Sequence, residues 1–191
     1  MKRVSPLLNY QCKAIAPSET VIGEIANMQL VTSAVQSINS ATDNYIADIS
    51  AVRKRLVVGD AAPGWISEHT VDCPPNLFRR LMLQDGAYLV RIHRSQYIIV
   101  DGPDSERYDE LFTLPRGRHG DVLMLDYECA EIALGGPSVE NIMSELCPMP
   151  LQDLDDSDWC ATRMAHADVI ITPAAEGGRH YRIIVTPADA R

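Results

Sequence analysis

EIALGGPSVENIMSEL, residues Glu131–Leu146, decides how the rest of the chain is read. Apolar residues alternate up to Gly135-Gly136-Pro137. Val139, Ile142, Met143 and Leu146 then recur at helical spacing. A strand entering a glycine turn and then a helix is also how phosphate-binding loops begin. A P-loop, however, needs a lysine and a hydroxyl after its second glycine, to reach phosphate and metal. No lysine stands here. A dinucleotide turn needs three spaced glycines and an acidic residue about 20 positions on. Two adjacent glycines do not meet that pattern. A bare helix entry still attracts anions, but Glu140 and Glu145 make this helix acidic. The stretch reads as a structural corner.

Shifting the chain by 77 positions sets RLVVGDAAPGWISE (Arg55–Glu68) over IALGGPSVENIMSE (Ile132–Glu145). Gly59 falls on Gly136, Trp65 on Ile142, and Ser67-Glu68 on Ser144-Glu145. Downstream, Tyr97–Val100 resembles Tyr181–Val185 after about seven extra residues in the second turn region. The pattern is an internal repeat. Each unit reads strand, glycine turn, helix, two strands, over about 45–114 and 121–191. The expected class is α+β: two strand–helix–strand–strand units forming mainly antiparallel sheet with helices packed on it. Residues 1–20 read as an irregular N-terminal arm, and 21–191 as a single domain.

The expected elements follow from local pattern. Val21–Ser40 fits strand or helix alike. Asp48–Val58 reads as one strand. Leu77, Phe78, Leu81 and Met82 are spaced as a short amphipathic helix. Tyr88–Val100 forms a hairpin turning at Arg94–Gln96. Asp104 or Ser105 caps a helix carrying Tyr108, Leu111 and Phe112. Pro115–Gly120 is a polar loop, and Val122–Leu134 is extended. Ser138 caps the helix of the opening stretch. Leu151–Asp158 is an acidic loop. Thr162–Thr172 and Tyr181–Thr186 are strands around Glu176-Gly177-Gly178. The sequence given ends at Pro187–Arg191, where a helix matching that of the first unit would begin.

Composition narrows the function. The 191 residues are 46% hydrophobic and 23% charged, enough for a sizeable core. The net charge of -9 disfavours binding to nucleic acid or an anionic membrane. Arg53-Lys54-Arg55 and Arg116–His119 are local clusters. No run approaches the roughly 20 apolar residues of a membrane helix. The five cysteines, Cys12, Cys73, Cys129, Cys147 and Cys160, form no spaced pairs. A reducing cytoplasm is therefore expected.

No convincing chemical constellation emerges. Asp153–Asp158 fails the EF-hand register at its sixth and twelfth positions, Asp158 and Met164, and reads as an acidic surface able to meet a basic partner. The five histidines lack metal-ligand spacing. Cys73 could serve a thiol enzyme, but reads better as a loop thiol. Trp65 and Trp159 read as core or interface anchors. The sharper alternative is a ring stacked on a pterin or flavin.

DVLMLDYECAEIALGGPSVENIMSELCPMPL (Asp121–Leu151) resembles the aminomethyltransferase-like proteins, and is more similar to the gamma subunit of heterotetrameric sarcosine oxidase. Trp159–Thr162, Val169–Ile171 and Tyr181–Val185 follow in that family's order. The likeness covers about Leu89–Val185, with a fainter part at Asp48–Glu68. It implies the fold of the aminomethyltransferase folate-binding domain. It also implies a small non-catalytic subunit of a multi-subunit flavin-dependent complex oxidising an N-methyl amine. A related N-methylglutamate dehydrogenase has a similar small subunit. The implied partners are larger flavoprotein subunits carrying FAD, FMN, NAD and tetrahydrofolate. No catalytic, cofactor or metal residue is assigned to this chain. The alternative is a stand-alone folate-binding or aminomethyltransferase-like protein. There Trp65 or Trp159 would stack on the pterin, and Asp126 or Glu128 would pair with its ring nitrogens. Asp126-Tyr127-Glu128 departs from the family's Asp-Val-Ser-like segment, and the family's C-terminal helix is not expected here. Both departures weigh against a folate site of its own.

Overall fold

The computed structural model describes residues 3–4, 22–25, 28–31, 44–69, 73–83, 86–102, 109–114, 117–173 and 180–185. In chain order the strands begin with β1 (Arg3–Val4), β2 (Ile22–Ile25), β3 (Met28–Val31), β4 (Tyr45–Asp48) and β5 (Lys54–Val58). Helix α1 (Ala62–His69) precedes β6 (Arg80–Met82), β7 (Tyr88–His93) and β8 (Gln96–Val100). Then come α2 (Asp109–Thr113), β9 (Gly117–His119), β10 (Val122–Asp126) and β11 (Ala130–Gly135). Helix α3 (Val139–Leu146), a short 3-10 turn (Leu151–Asp153), β12 (Cys160–Met164), β13 (Ala167–Pro173) and β14 (His180–Val185) complete the order.

The chain divides into two compact units. One comprises Val52–Glu128 and Ser157–Trp159. It holds an antiparallel sheet ordered β6-β7-β8-β5-β10-β9. The other comprises Met1–Ala51, Cys129–Asp156 and Cys160–Arg191. It holds an antiparallel sheet ordered β12-β13-β14-β11-β4, and a small sheet β1-β3-β2 in which β1 runs parallel to β3.

The repeat is visible in the backbone. Ala62 and Val139 open the two helices and His69 and Leu146 close them, 77 positions apart at both ends. Gly59 and Gly136 occupy the matching corners with φ of +145° and +112°, a region where only glycine is at ease. Each corner makes the same bond. Ala62 N–H donates to the Gly59 carbonyl at 3.0 Å, and Val139 N–H to the Gly136 carbonyl at 3.1 Å. The order β6-β7-β8-β5-β10 also matches β12-β13-β14-β11-β4.

The last pair shows how the units are threaded. β4 precedes β5 in sequence but pairs with β11, while β10 precedes β11 but pairs with β5. Each lead-in strand thus serves the sheet of the other repeat. Asp48–Val58, read from sequence as one strand, and Val122–Leu134, read as extended, each hold parts of two strands in different sheets. Tyr127–Cys129 carries no turn between β10 and β11, whereas Ser50–Val52 turns the chain between β4 and β5, with Ser50 N–H donating to Asp48 Oδ1 at 2.9 Å.

In the first unit Val57, Leu89, Tyr97, Ile99, Val122 and Met124 on one sheet face pack with Ala62 and Ile66 of α1 and Leu111 and Phe112 of α2. In the second, Val169, Ile171, Tyr181 and Ile183 pack with Val139 and Met143 of α3 and with Cys147 and Leu151. Fully burying one such aliphatic side chain contributes about 1.5–3 kcal/mol. The α+β class with mainly antiparallel sheet stands, and each unit has three strands after its helix where the sequence reading assigned two.

Four local expectations are corrected. Leu77–Met82 is not a helix. Phe78 sits at φ +56°, its N–H donating to the Arg91 carbonyl and its carbonyl accepting from Trp159 N–H, both at 2.8 Å. Those bonds, to β7 and to the segment before β12, displace helical ones, and Arg80–Met82 continues as β6. The polar loop 115–120 contains edge strand β9. Thr162–Thr172 lies in a hairpin, β12 and β13, turning at Ala165 and His166 with φ of +47° and +72°. Two successive left-handed residues suit a tight hairpin, usually marked by Asn-Gly; Ala-His gave no such signal. Ser138 precedes α3 but its hydroxyl makes no capping bond. The caps proposed at Asp104 and Ser105, the Gly177-Gly178 turn and most of the 1–20 arm lie outside the described residues; Arg3–Val4 of that arm is strand.

Candidate functional site

The glycine corners are filled by the protein itself. A Cβ built on Gly59 would stand 2.5 Å from the Asp121 carbonyl oxygen, and one on Gly135 2.6 Å from the Tyr45 ring. These glycines allow close approach of neighbouring strands. At the entry of α3, Ser138 N–H donates to Asn44 Oδ1 at 2.9 Å and Val139 N–H to Gly136. Glu140 occupies the first turn. Two of the donors a phosphate would use are thus engaged, and the nearest charge repels it.

The basic triplet is likewise internal. Arg53 Nε meets Asp101 Oδ2 at 2.6 Å, and its guanidinium lies 4.8 Å above the Phe112 ring centre. Lys54 is buried and donates to the Val52 carbonyl at 2.9 Å. Arg55, also buried, donates to the Phe112 and Leu114 carbonyls at the end of α2. A cation there suits the negative end of a helix. Arg55 also holds Asp126 Oδ1 at 3.2 Å. The carboxylate considered for a pterin ring is therefore engaged in an ion pair. Glu128 is exposed.

The tryptophans divide. Trp159 is only 2% exposed and meets Tyr88 edge-on at a ring separation of 6.3 Å. Covered on this scale, it offers no face to a ligand. Its segment joins the sheet edge beside β6: Arg80 N–H donates to the Ser157 carbonyl at 2.6 Å, and Arg79 pairs with Asp158 at 3.0 Å. The end of the acidic loop thus binds within its own unit, while Asp153, Asp155 and Asp156 remain exposed. Trp65 is half-buried on α1, stacked on His69 at 4.0 Å between ring centres, and His69 Nδ1 lies 2.7 Å from the Trp65 carbonyl. The ring is positioned by a neighbour one helical turn away.

Cys73 is half-buried beside Tyr97. Burial first, and then the Cys73 hydrogen bond and charge, push the Tyr97 phenol up to about 12, although nearby Arg91 opposes the shift. The four described cysteines are free thiols. Among the described residues no group of three or more His, Cys, Asp or Glu side chains could hold a metal, and no helix is long and apolar enough to cross a membrane.

One polar cluster escaped sequence reasoning. Glu131 is 0% exposed, and Arg182 on neighbouring β14 meets its Oε1 through Nε at 2.6 Å and Nη2 at 2.5 Å. Ser50 Oγ accepts from Glu131 N–H at 3.0 Å, and Ile49 N–H donates to the Glu131 carbonyl at 2.9 Å. A buried carboxylate is tolerated when paired and hydrogen-bonded in this way. The available signal was an acidic residue inside an otherwise apolar strand. The arrangement braces β11 against β14 and the chain leaving β4.

The architecture is that of a two-unit antiparallel α+β protein of the aminomethyltransferase-like fold. Two solved structures carry this statement. The glycine cleavage system aminomethyltransferase T from Bartonella henselae matches with a TM-score of 0.69 at 15% identity, over 98% of this chain and 55% of its own. Heterotetrameric sarcosine oxidase from Corynebacterium sp. U-96, in complex with pyrrole 2-carboxylate, matches with a TM-score of 0.63 at 14% identity, over 98% of this chain and 89% of the matched one. The chain thus spans about half the length of the aminomethyltransferase. No protein-family model matches the sequence, and no curated protein does.

Proposed function

We propose that this chain is a small, non-catalytic subunit of a multi-subunit flavin-dependent complex oxidising an N-methyl amine, of sarcosine oxidase or N-methylglutamate dehydrogenase type. The observation that carries the reading is the fold shared over 98% of this chain with a chain of a heterotetrameric sarcosine oxidase. The filled corners and the engaged Asp126 agree with a chain that works through assembly. In this reading larger flavoprotein subunits carry FAD, FMN, NAD and tetrahydrofolate, and the chain acts in the cytoplasm, where its thiols stay reduced.

The test is co-expression with any flavoproteins that neighbouring genes encode, followed by purification on a tag carried by this chain. A yellow complex of fixed stoichiometry is expected. A stable monomer that leaves those flavoproteins behind removes the reading. The alternative of a stand-alone folate-binding or aminomethyltransferase-like protein rests on the shared fold, and predicts tetrahydrofolate binding by the isolated chain.

A further inference from the structure

We infer that the outward face of β5 and β10 is the surface on which the larger flavoprotein subunit docks; the inference rests on the subunit reading above. β10 alternates cleanly. Val122 and Met124 are buried toward α1, while Leu123 and Leu125 face outward, 39% and 38% exposed. A strand with one face to water normally places polar residues there. Here Leu123 stands opposite Val58 and Leu125 opposite Leu56, both half-buried. The four form a two-by-two aliphatic block fixed by strand register.

The same face continues across the sheet. Leu56 stands opposite Ile98, and Ile98 opposite Val90; Ile98 and Val90 are fully buried. The face is therefore covered over β7 and β8, half-open at β5 and open at β10. A continuation of a covered face onto exposed leucines is the kind of patch that marks a protein contact.

Charge selects the occupant. Exposed Asp60 follows the Val58 end, and Asp121, with 86% of its side chain exposed, precedes Leu123. Arg118 lies 3.7 Å from Asp121 but is itself 77% exposed, a loosely held pair. The surface fits a partner presenting aliphatic side chains with lysine or arginine at their rim. A second copy of this chain brings the same carboxylates and a net charge of -9, which makes it the poorer fit.

The experiment compares wild type, Leu123→Asp/Leu125→Asp and Asp60→Lys/Asp121→Lys, each co-expressed with the neighbouring flavoproteins and titrated against them after purification. Circular dichroism and thermal melting verify folding. The leucine pair is expected to lose roughly a hundredfold in affinity, as for central interface anchors. The charge-reversed variant should lose about tenfold or more at low salt, with a reduced salt dependence. If the leucine variant does not fold, the charge-reversed one decides. Wild-type affinity in both folded variants overturns the docking face and leaves the subunit reading standing. Failure of wild type to bind any of the flavoproteins overturns the subunit reading and the docking face with it. A wild-type dimer that the leucine variant abolishes assigns the face to self-association and overturns the proposal.

Discussion

Gly59→Ala is the sharpest test of the corner geometry. At φ +145° Gly59 occupies backbone space that side chains rarely enter, a strain of about 1–3 kcal/mol for another residue. The new Cβ would also stand 2.5 Å from the Asp121 carbonyl. That oxygen belongs to the backbone entering β10, so relief requires moving the strand paired with β5. Overpacking of this kind costs about 1–3 kcal/mol more. The sum is a loss of about 2–6 kcal/mol. Gly64→Ala is the internal control. Gly64 lies in α1 with nothing within 4 Å of an added Cβ, and alanine there should stabilise by about 0.5–1 kcal/mol. Equilibrium urea denaturation, followed by far-ultraviolet circular dichroism, reads both. A Gly59→Ala midpoint equal to wild type, with Gly64→Ala no better, refutes the reasoning.

Other outcomes follow from the same geometry. Arg182→Met leaves the Glu131 carboxylate buried beside a lost partner and should cost about 3–5 kcal/mol, with Glu131→Gln/Arg182→Met recovering part of it; equal urea midpoints for the two variants contradict this. Ala165→Asn/His166→Gly places residues suited to left-handed backbone in the β12–β13 turn and should raise the melting temperature, by about 1–2 kcal/mol of stability. The Tyr97 phenol, raised from 10.0 to about 12, keeps its proton in the folded chain after the unfolded chain has lost it. Its contribution is complete below pH 10 and is lost as pH rises toward 12. Tyr97→Phe should flatten that part of an alkaline stability profile, and an unchanged slope contradicts the assignment.

Much of the architecture was legible because its signals are local. Gly59 and Gly136, the apolar spacing in the two helices and the Tyr97–Val100 and Tyr181–Val185 strands repeat in sequence, and the backbone repeats with them. The exchange of β4 and β10 was not legible, since the pattern within a strand is the same whichever sheet accepts its hydrogen bonds. Leu77–Met82 misled because four apolar residues at helical spacing also suit a loop pinned between β7 and the Trp159 segment. The acidic loop was read as surface, which holds for Asp153, Asp155 and Asp156. Asp158 differs because its partner Arg79 lies 79 residues away in sequence. Glu131 is the same lesson in the core: Arg182, 51 positions distant, makes its burial tolerable.

In the proposed reading this chain contributes a docking scaffold and no ligand site of its own. Titration calorimetry of tetrahydrofolate into the isolated, folded chain tests it most directly. The expected result is heat of dilution alone up to millimolar ligand. A saturable isotherm with a stoichiometry near one would contradict the claim and establish a folate-binding protein in its place.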